Sequence, residues 1–171
     1  TMGLNPARDR LCLVQLSSGN GICYLVKIMD LRKKPKNLLK LLINKKIQKI
    51  FHFARFDVAV LKYTYKINIK NIYCTKIASK LARTYTDKHG YKDLCRELLN
   101  ETISKIEQSS DWGGKLSKDQ KHYAASDVLH LHKIKKKLDV ILERENRINL
   151  ANACFEFISH RADLDLYGWQ E

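Results

Sequence analysis

The 171-residue sequence has no apolar run approaching the roughly 18 residues that a membrane-spanning helix requires. Its first residues also lack a charged segment followed by an apolar one, so nothing here argues for export. Internal repeats, low-complexity linkers and shifts of composition that would divide the chain are absent as well. We therefore expect a single cytoplasmic domain over residues 1–171, built around one core.

The five cysteines form no C-x-x-C pair, and their number is odd. Most of them lie among apolar residues, as is usual for buried thiols. These features argue against a disulfide framework and against a zinc site. We expect reduced thiols, in keeping with a cytosolic protein.

Positive charge is what the sequence has in excess, with a formal net charge of +14 and a pI near 9.6. A polyanion such as nucleic acid is the natural partner for such a chain. The alternative is compositional, because the chain is rich in Lys, Ile and Asn, as an AT-rich genome would dictate. The charge therefore supports nucleic-acid binding without establishing it.

Apolar periodicity predicts an α/β domain in which a mixed β-sheet is flanked by α-helices. The predicted strands cover residues 10–17, 22–28, 49–53 and 69–74, and the turn at residues 18–21 makes the first two antiparallel. The predicted helices cover residues 36–44, 56–65, 75–81, 92–99 and 148–158, with one long helix from residue 118 towards Arg144. Residues 100–116 are expected to be irregular.

The long helix carries the first candidate functional residues. Ser117 is a good N-cap, and Gln120 can complete a capping box with it. Tyr123 and Asp127 follow four residues apart, which places a phenol and a carboxylate on one face of the helix. The apolar stripe lies close by, so Asp127 is expected at the edge of the core. For this pattern alone, a helix-flank Asp with a structural hydrogen bond is the ordinary interpretation.

A second carboxylate, Asp57, follows the buried-type strand 49–53 and falls in the first turn of a helix. The helix dipole should help to keep it ionised there, and strand ends in α/β sheets are where ligands gather. His52 and Arg55 share this segment. His52 is better explained as a satisfied half-buried histidine than as a metal ligand, and Arg55 either contacts a phosphate or forms a surface salt bridge.

Five segments in order resemble the RNase D-like 3′–5′ exonucleases. They are H-x-A-R-F-D, C-T-K-I-A-S-K-L-A-R-T-Y, H-G-Y-K-D-L-C-R-E-L-L, S-D-W-G and L-S-x-x-Q-x-x-Y-A-A-S-D-V-L. This family belongs to the DEDD superfamily, on an RNase H-like fold, and the Tyr in the last segment is typical of one of its subclasses. The resemblance covers nearly the whole chain and is greatest to short, single-domain bacterial members.

The resemblance implies a two-metal mechanism in which four carboxylates hold two Mg²⁺ or Mn²⁺ ions. By position, Asp57 matches the metal-binding Asp of the second motif, and Asp127 matches the metal ligand of the third. Tyr123 would position or activate the attacking water. Since a free tyrosine has a pKa of about 10, an orienting hydrogen bond is the expected role.

The sequence departs from the family at its first motif, D-x-E, which should directly precede Thr1. The expected N-terminal strand and two of the four metal ligands are therefore missing from this sequence. We expect the chain as given to be inactive. A lost start, a degraded gene, or a strand supplied by another chain would each explain the departure.

Contacts to the substrate are expected from residues that follow the missing motif. Thr1, Met2 and Leu4 would lie against the 3′-terminal nucleotide, although core packing is at least as good an explanation for Leu4. Trp112 either stacks on a base or, as we favour, covers the helix start. Three lysines before Tyr123 could attract the phosphate backbone or simply be solvated: Lys115, Lys118 and Lys121.

The sequence thus predicts a metal-dependent 3′–5′ exonuclease acting on RNA or single-stranded DNA. A catalytically dead nucleic-acid-binding remnant is the alternative. A third and weaker hypothesis is a protein-interaction domain, which a steep loss of oligonucleotide binding with rising salt would contradict.

Overall fold

The computed structural model describes residues 1–103 and 111–169. Its strands are β1 (Leu13–Leu16), β2 (Tyr24–Lys27), β3 (Lys49–Phe51) and β4 (Ile72–Cys74). Its helices are α1 (Lys36–Ile43), α2 (Ala54–Tyr65), α3 (Thr75–Ala82), α4 (Tyr91–Leu99), α5 (Lys118–Leu129), α6 (Leu131–Arg144) and α7 (Ile148–Leu166). Part of the predicted irregular segment, residues 104–110, lies outside the described residues.

The strands form two separate pairs. β1 and β2 are antiparallel, with Leu13 opposite Lys27, as the hairpin-type turn predicts. β3 and β4 are parallel, with Phe51 opposite Cys74. Among the described residues the two pairs are not hydrogen-bonded to each other, so the predicted mixed sheet is present as two halves. Each of β1 and β3 therefore has a paired strand on one edge only.

The helix predicted from residue 118 towards Arg144 is in fact two helices, with a break at His130. No proline or glycine lies at the break, so local propensity does not explain it. The two segments pack against different neighbours, since α5 contacts β1 and β2 whereas α6 contacts α3 and α4. Tertiary packing therefore divides a continuous sequence pattern into two helices.

The core lies between the half-sheets and the helices, and α6 contributes three fully buried side chains to it. Ile134, Leu138 and Leu142 are each 0% exposed and recur every four residues, which is the spacing of one helix face. The largest helix–helix interface joins α2 and α7. α7 runs to Leu166, beyond its predicted end, because Ala162 still packs into this core.

Replacing Leu138 with alanine should lower the free energy of unfolding by about 2–5 kcal/mol, because it leaves a cavity in a fully packed core. Urea denaturation followed by circular dichroism measures this change. Val140→Ala on the same helix is the matched control, since Val140 is 65% exposed and should change stability by less than about 0.5 kcal/mol. Equal losses in the two variants would contradict the assigned core face.

All five cysteines are free thiols, three of them buried. This agrees with the expectation of reduced cysteines. Within the described ranges, no helix combines the length and the apolar character needed to cross a membrane.

Candidate functional site

The first candidate carboxylate lies just after β3. The chain leaves that strand through His52 and Phe53, and α2 begins at Ala54, two residues earlier than predicted. Phe53 has a left-handed backbone, with φ of 62°, and this sharp turn directs the helix away from the strand end. Asp57 lies at the end of the first turn, where it is half-buried.

The second carboxylate is on α5, whose start is capped as the sequence predicts. The Ser117 Oγ accepts a hydrogen bond from the Gln120 amide at 3.0 Å. The Gln120 Oε1 in turn accepts one from the Ser117 amide at 2.8 Å. This reciprocal pair fixes where α5 begins, and hence the direction in which Tyr123 and Asp127 face.

A cavity of about 810 Å³ brings the two carboxylates together. Asp57 and Asp127 both line it, and so do Thr1 and His52. Every residue of β1 and of β3 also lines it, so the cavity occupies the space between the two half-sheets. The site therefore lies at one part of a slot that β1 and β3 both line.

Burial governs the charge state of both carboxyls. It raises the pKa of Asp57 to about 7; a nearby positive charge at the chain's first residue lowers this pKa, and the negative charge of Asp127 raises it further. Burial likewise raises the pKa of Asp127 to about 6, although the Lys92 ammonium opposes this rise. The expectation that the helix dipole keeps Asp57 ionised is therefore wrong for the metal-free site, because desolvation outweighs the dipole.

Tyr123 is half-buried one helical turn before Asp127. Burial and the charge of Asp127 both raise the pKa of its phenol, so it retains its proton at neutral pH. Trp112 packs against it, with ring centroids 6.0 Å apart. This contact agrees with the structural role that we favour for Trp112.

His52 is held by a hydrogen bond between its Nδ1 and the Thr75 Oγ1 at 2.9 Å. The Thr75 hydroxyl donates to the Phe51 carbonyl at 3.2 Å, so the His52 Nδ1 must carry the hydrogen. Burial, together with the charge of Lys76, lowers the pKa of His52 to about 4. The imidazole is therefore neutral at physiological pH, as expected for a satisfied half-buried histidine.

Arg55 does not line the cavity with Asp57. Its guanidinium forms an ion pair with Asp165 of α7 at 2.5 Å. Its side chain nevertheless remains 40% exposed, so the predicted phosphate contact stays a prediction.

The residues expected to meet the 3′-terminal nucleotide differ in exposure. Leu4 is 88% exposed, so core packing does not explain it. Met2 is 59% exposed, and its sulfur lies so close to Gly113 that an added Cβ there would be 3.1 Å from it. The three lysines of this region are all exposed: Lys115, Lys118 and Lys121.

Sequence reasoning assigned no role to two residues that border the site. The Tyr91 hydroxyl donates to the Ser126 carbonyl at 2.6 Å, and its ring lies 5.6 Å from the His52 ring, so Tyr91 connects the two carboxylate-bearing segments. Lys92 places its positive charge near Asp127. Both belong to the H-G-Y-K-D-L-C-R-E-L-L segment. The place of this segment in the motif order was the one sequence feature that could have pointed to them.

Two carboxylates alone do not make a complete metal site. In the part of the chain that the structure describes, no group of three or more His, Cys, Asp or Glu residues is placed to hold a metal ion. Asp57 and Asp127 offer the hard oxygen ligands that Mg²⁺ and Mn²⁺ prefer. The described residues thus fit part of such a site.

Comparison with known proteins extends this description. Residues 1–143 match a domain family described as a 3′–5′ exonuclease. Ribonuclease D from Gluconacetobacter diazotrophicus is 33% identical over 143 residues, which make up 81% of this chain and 35% of that protein. The chain thus spans about a third of the length of the curated relatives it matches.

Solved structures of nucleases are also similar to this chain. NrnC from Brucella melitensis with bound Mg²⁺ has a TM-score of 0.94 at 53% identity, over 99% of this chain and 83% of that chain. The same Brucella protein bound to pGG gives 0.95 at 54% identity, over the same shares of the two chains. RNase D from Escherichia coli gives 0.79 at 24% identity, over 88% of this chain and 40% of that one. This last similarity shows the fold alone, and it confirms the predicted RNase H-like α/β fold.

Proposed function

This chain belongs to the RNase D-like 3′–5′ exonucleases, and we propose that it hydrolyses phosphodiester bonds from the 3′ end of RNA or single-stranded DNA. The observation that supports this best is the meeting of Asp57 and Asp127 in one cavity. These residues are 70 positions apart in the sequence and come from two of the resembling segments. The net charge of +14 suits a nucleic-acid partner.

Two divalent ions, Mg²⁺ or Mn²⁺, are the cofactors that we propose. When bound, such a pair supplies electrostatic stabilisation to the attacking and leaving oxygens of the scissile phosphate. Asp57 and Asp127 would hold them through carboxylate oxygens. Because both pKa values are raised, metal binding displaces protons, and affinity should increase as the pH rises from about 5 to about 8.

We propose that further ligands come from a segment outside the described residues. The slot that β1 and β3 line supports this, since each of these strands has one edge without a hydrogen-bonded strand among the described residues, and an inserted strand could pair there. We propose that a D-x-E strand occupies the slot and ends beside Asp57 and Asp127. We propose that catalysis requires this strand.

Tyr123 would orient the attacking water. Its phenol keeps its proton, so it can donate a hydrogen bond to the attacking water but is not a strong base. Its position one turn before Asp127 places it on the same helix face as a metal ligand.

In a chain extended upstream through a D-x-E strand, replacing Tyr123 with phenylalanine should lower kcat by roughly 10- to 100-fold, through loss of this single hydrogen bond. Metal affinity should change little, since the phenol is not a metal ligand. Single-turnover kinetics across a Mn²⁺ titration separate the two effects. Phe157→Leu, an exposed aromatic on α7, is the control. An unchanged rate for Tyr123→Phe would assign the residue a packing role instead.

The alternative function is a catalytically dead nucleic-acid-binding remnant. It is favoured by the absence of a group of three metal ligands among residues 1–103 and 111–169. A cytoplasmic location fits either function, because the five cysteines are free thiols.

A gel assay on a 5′-labelled single-stranded oligonucleotide with Mn²⁺ or Mg²⁺ tests the proposal. It compares the 171-residue chain with one extended upstream through a D-x-E strand. A ladder that shortens from the 3′ end only with the extended chain is the expected result. Binding without degradation by either chain would favour the remnant. Degradation by the 171-residue chain would contradict the need for further ligands.

A further inference from the structure

The start of α2, which carries Asp57, has no side-chain cap of its own. Phe53 occupies the N-cap position, and no side chain accepts a hydrogen bond from the helix start. Its left-handed backbone, with φ of 62°, is unfavourable for a residue other than glycine. An uncapped helix end also leaves its first amides without intrahelical partners. Contacts from elsewhere must therefore hold this turn.

A bidentate ion pair to the last helix supplies such a contact. The Arg55 guanidinium donates through Nε and through a terminal nitrogen to the two carboxylate oxygens of Asp165. Arg161, one turn earlier on α7, donates to the same carboxylate at 2.8 Å. The Asp165 side chain is only 14% exposed. Charge-assisted, bidentate and partly buried pairs are the stronger members of their class.

Asp165 remains ionised in this position. Burial by itself would raise the pKa of its carboxyl, but the hydrogen bonds and charges of Arg55 and Arg161 hold that pKa below its usual value. The ion pair between α2 and α7 is therefore present at neutral pH.

A second ion pair joins the same two helices farther from the site. Lys62, in the C-terminal half of α2, places its ammonium 2.6 Å from the Asp163 carboxylate on α7. This pair also joins α2 to α7, through one ammonium group, and lies more than one helical turn beyond Asp57. The chain thus contains a matched comparison for the Arg55–Asp165 pair.

We propose that Asp165 is a positioning residue for Asp57. Through Arg55 it fixes the first turn of α2, and with it the direction in which the Asp57 carboxylate enters the cavity. The claim that this orients a metal ligand rests on the proposed function. The claim that Asp165 holds the first turn of α2 does not. Asp165 lies outside all the segments that resemble the family.

Amide hydrogen exchange on the 171-residue chain tests the structural part, with Asp165→Asn compared with Asp163→Asn. The informative amides are those of Phe56, which donates to the Phe53 carbonyl at 3.1 Å, and of Val58. Asp165→Asn should accelerate their exchange by about tenfold, while Asp163→Asn leaves it unchanged. Arg55→Lys, which keeps the charge but not the bidentate geometry, should behave like Asp165→Asn. Equal exchange in the two aspartate variants would overturn the assignment.

Mn²⁺ binding, followed by water-proton relaxation, tests the link to the site. Asp165→Asn should weaken binding by about tenfold and Asp163→Asn should not, with Asp165→Glu restoring part of the affinity. If Asp165→Asn accelerates amide exchange but leaves the Mn²⁺ affinity unchanged, Asp165 is not a positioning residue for Asp57. If the wild-type chain, alone and when extended upstream, binds no Mn²⁺, the proposed function fails. The exchange result then still decides whether Asp165 holds the turn.

Discussion

Replacing Asp127 with asparagine in the upstream-extended chain is expected to reduce turnover by roughly 10³-fold or more, because a metal ligand in a two-metal site contributes several kcal/mol to transition-state stabilisation. The fold should persist. Asp127 is half-buried and its carboxyl has a raised pKa, so a neutral amide of the same size removes an unfavourable charge. Initial rates on a 5′-labelled oligonucleotide, together with circular dichroism, measure the two effects.

Asp119→Asn is the matched control for this prediction. Asp119 lies on the same helix, in its first turn, and is exposed. Its replacement should cost a few tenths of a kcal/mol through the helix dipole and leave the rate unchanged. A wild-type rate for Asp127→Asn would remove Asp127 from the metal site and leave its carboxyl with a structural role.

Replacing Asp57 with asparagine should make the metal-free protein more stable at pH 8 but not at pH 4. The folded-state pKa of Asp57 is about 7, above its unfolded value near 3.8. The folded chain therefore keeps a proton that the unfolded chain releases, and stability falls as the pH rises from about 4 to about 7. A shift of this size corresponds to at most about 4 kcal/mol. Because the side chain faces a solvent-accessible cavity, we expect about 2 kcal/mol.

Urea denaturation in the presence of a chelator measures this difference. The free energies of unfolding of the wild type and of Asp57→Asn should agree at pH 4 and separate progressively up to pH 8. Glu156→Gln, at an exposed position on α7, is the control and should not change the pH dependence. A destabilised Asp57→Asn at pH 8 would show that the ionised carboxylate is favoured in the folded state, contrary to the effect of burial.

Several features could be predicted because they depend on local chemistry. The capping box of Ser117 and Gln120 forms as expected, since cap residues act at a fixed spacing. The order of the resembling segments also identified the family and the fold. It singled out Asp57 and Asp127, which the cavity then brings together.

Other features depend on partners that are distant in sequence. The break between α5 and α6 at His130 follows from different packing neighbours on either side. The Arg55–Asp165 pair joins residues 110 positions apart, and no motif points to it. The exposure of Leu4 contradicts a core role that its apolar side chain alone allowed.

By itself, the sequence determined the α/β class, the family, the start of α5 and the identity of the two carboxylates. Each of these follows from residue type and spacing along one segment. The tertiary structure alone decided that the two carboxyls share a cavity between the half-sheets, where burial raises their pKa values. Desolvation and mutual repulsion depend on which segments meet in space, and spacing along the chain does not encode that meeting.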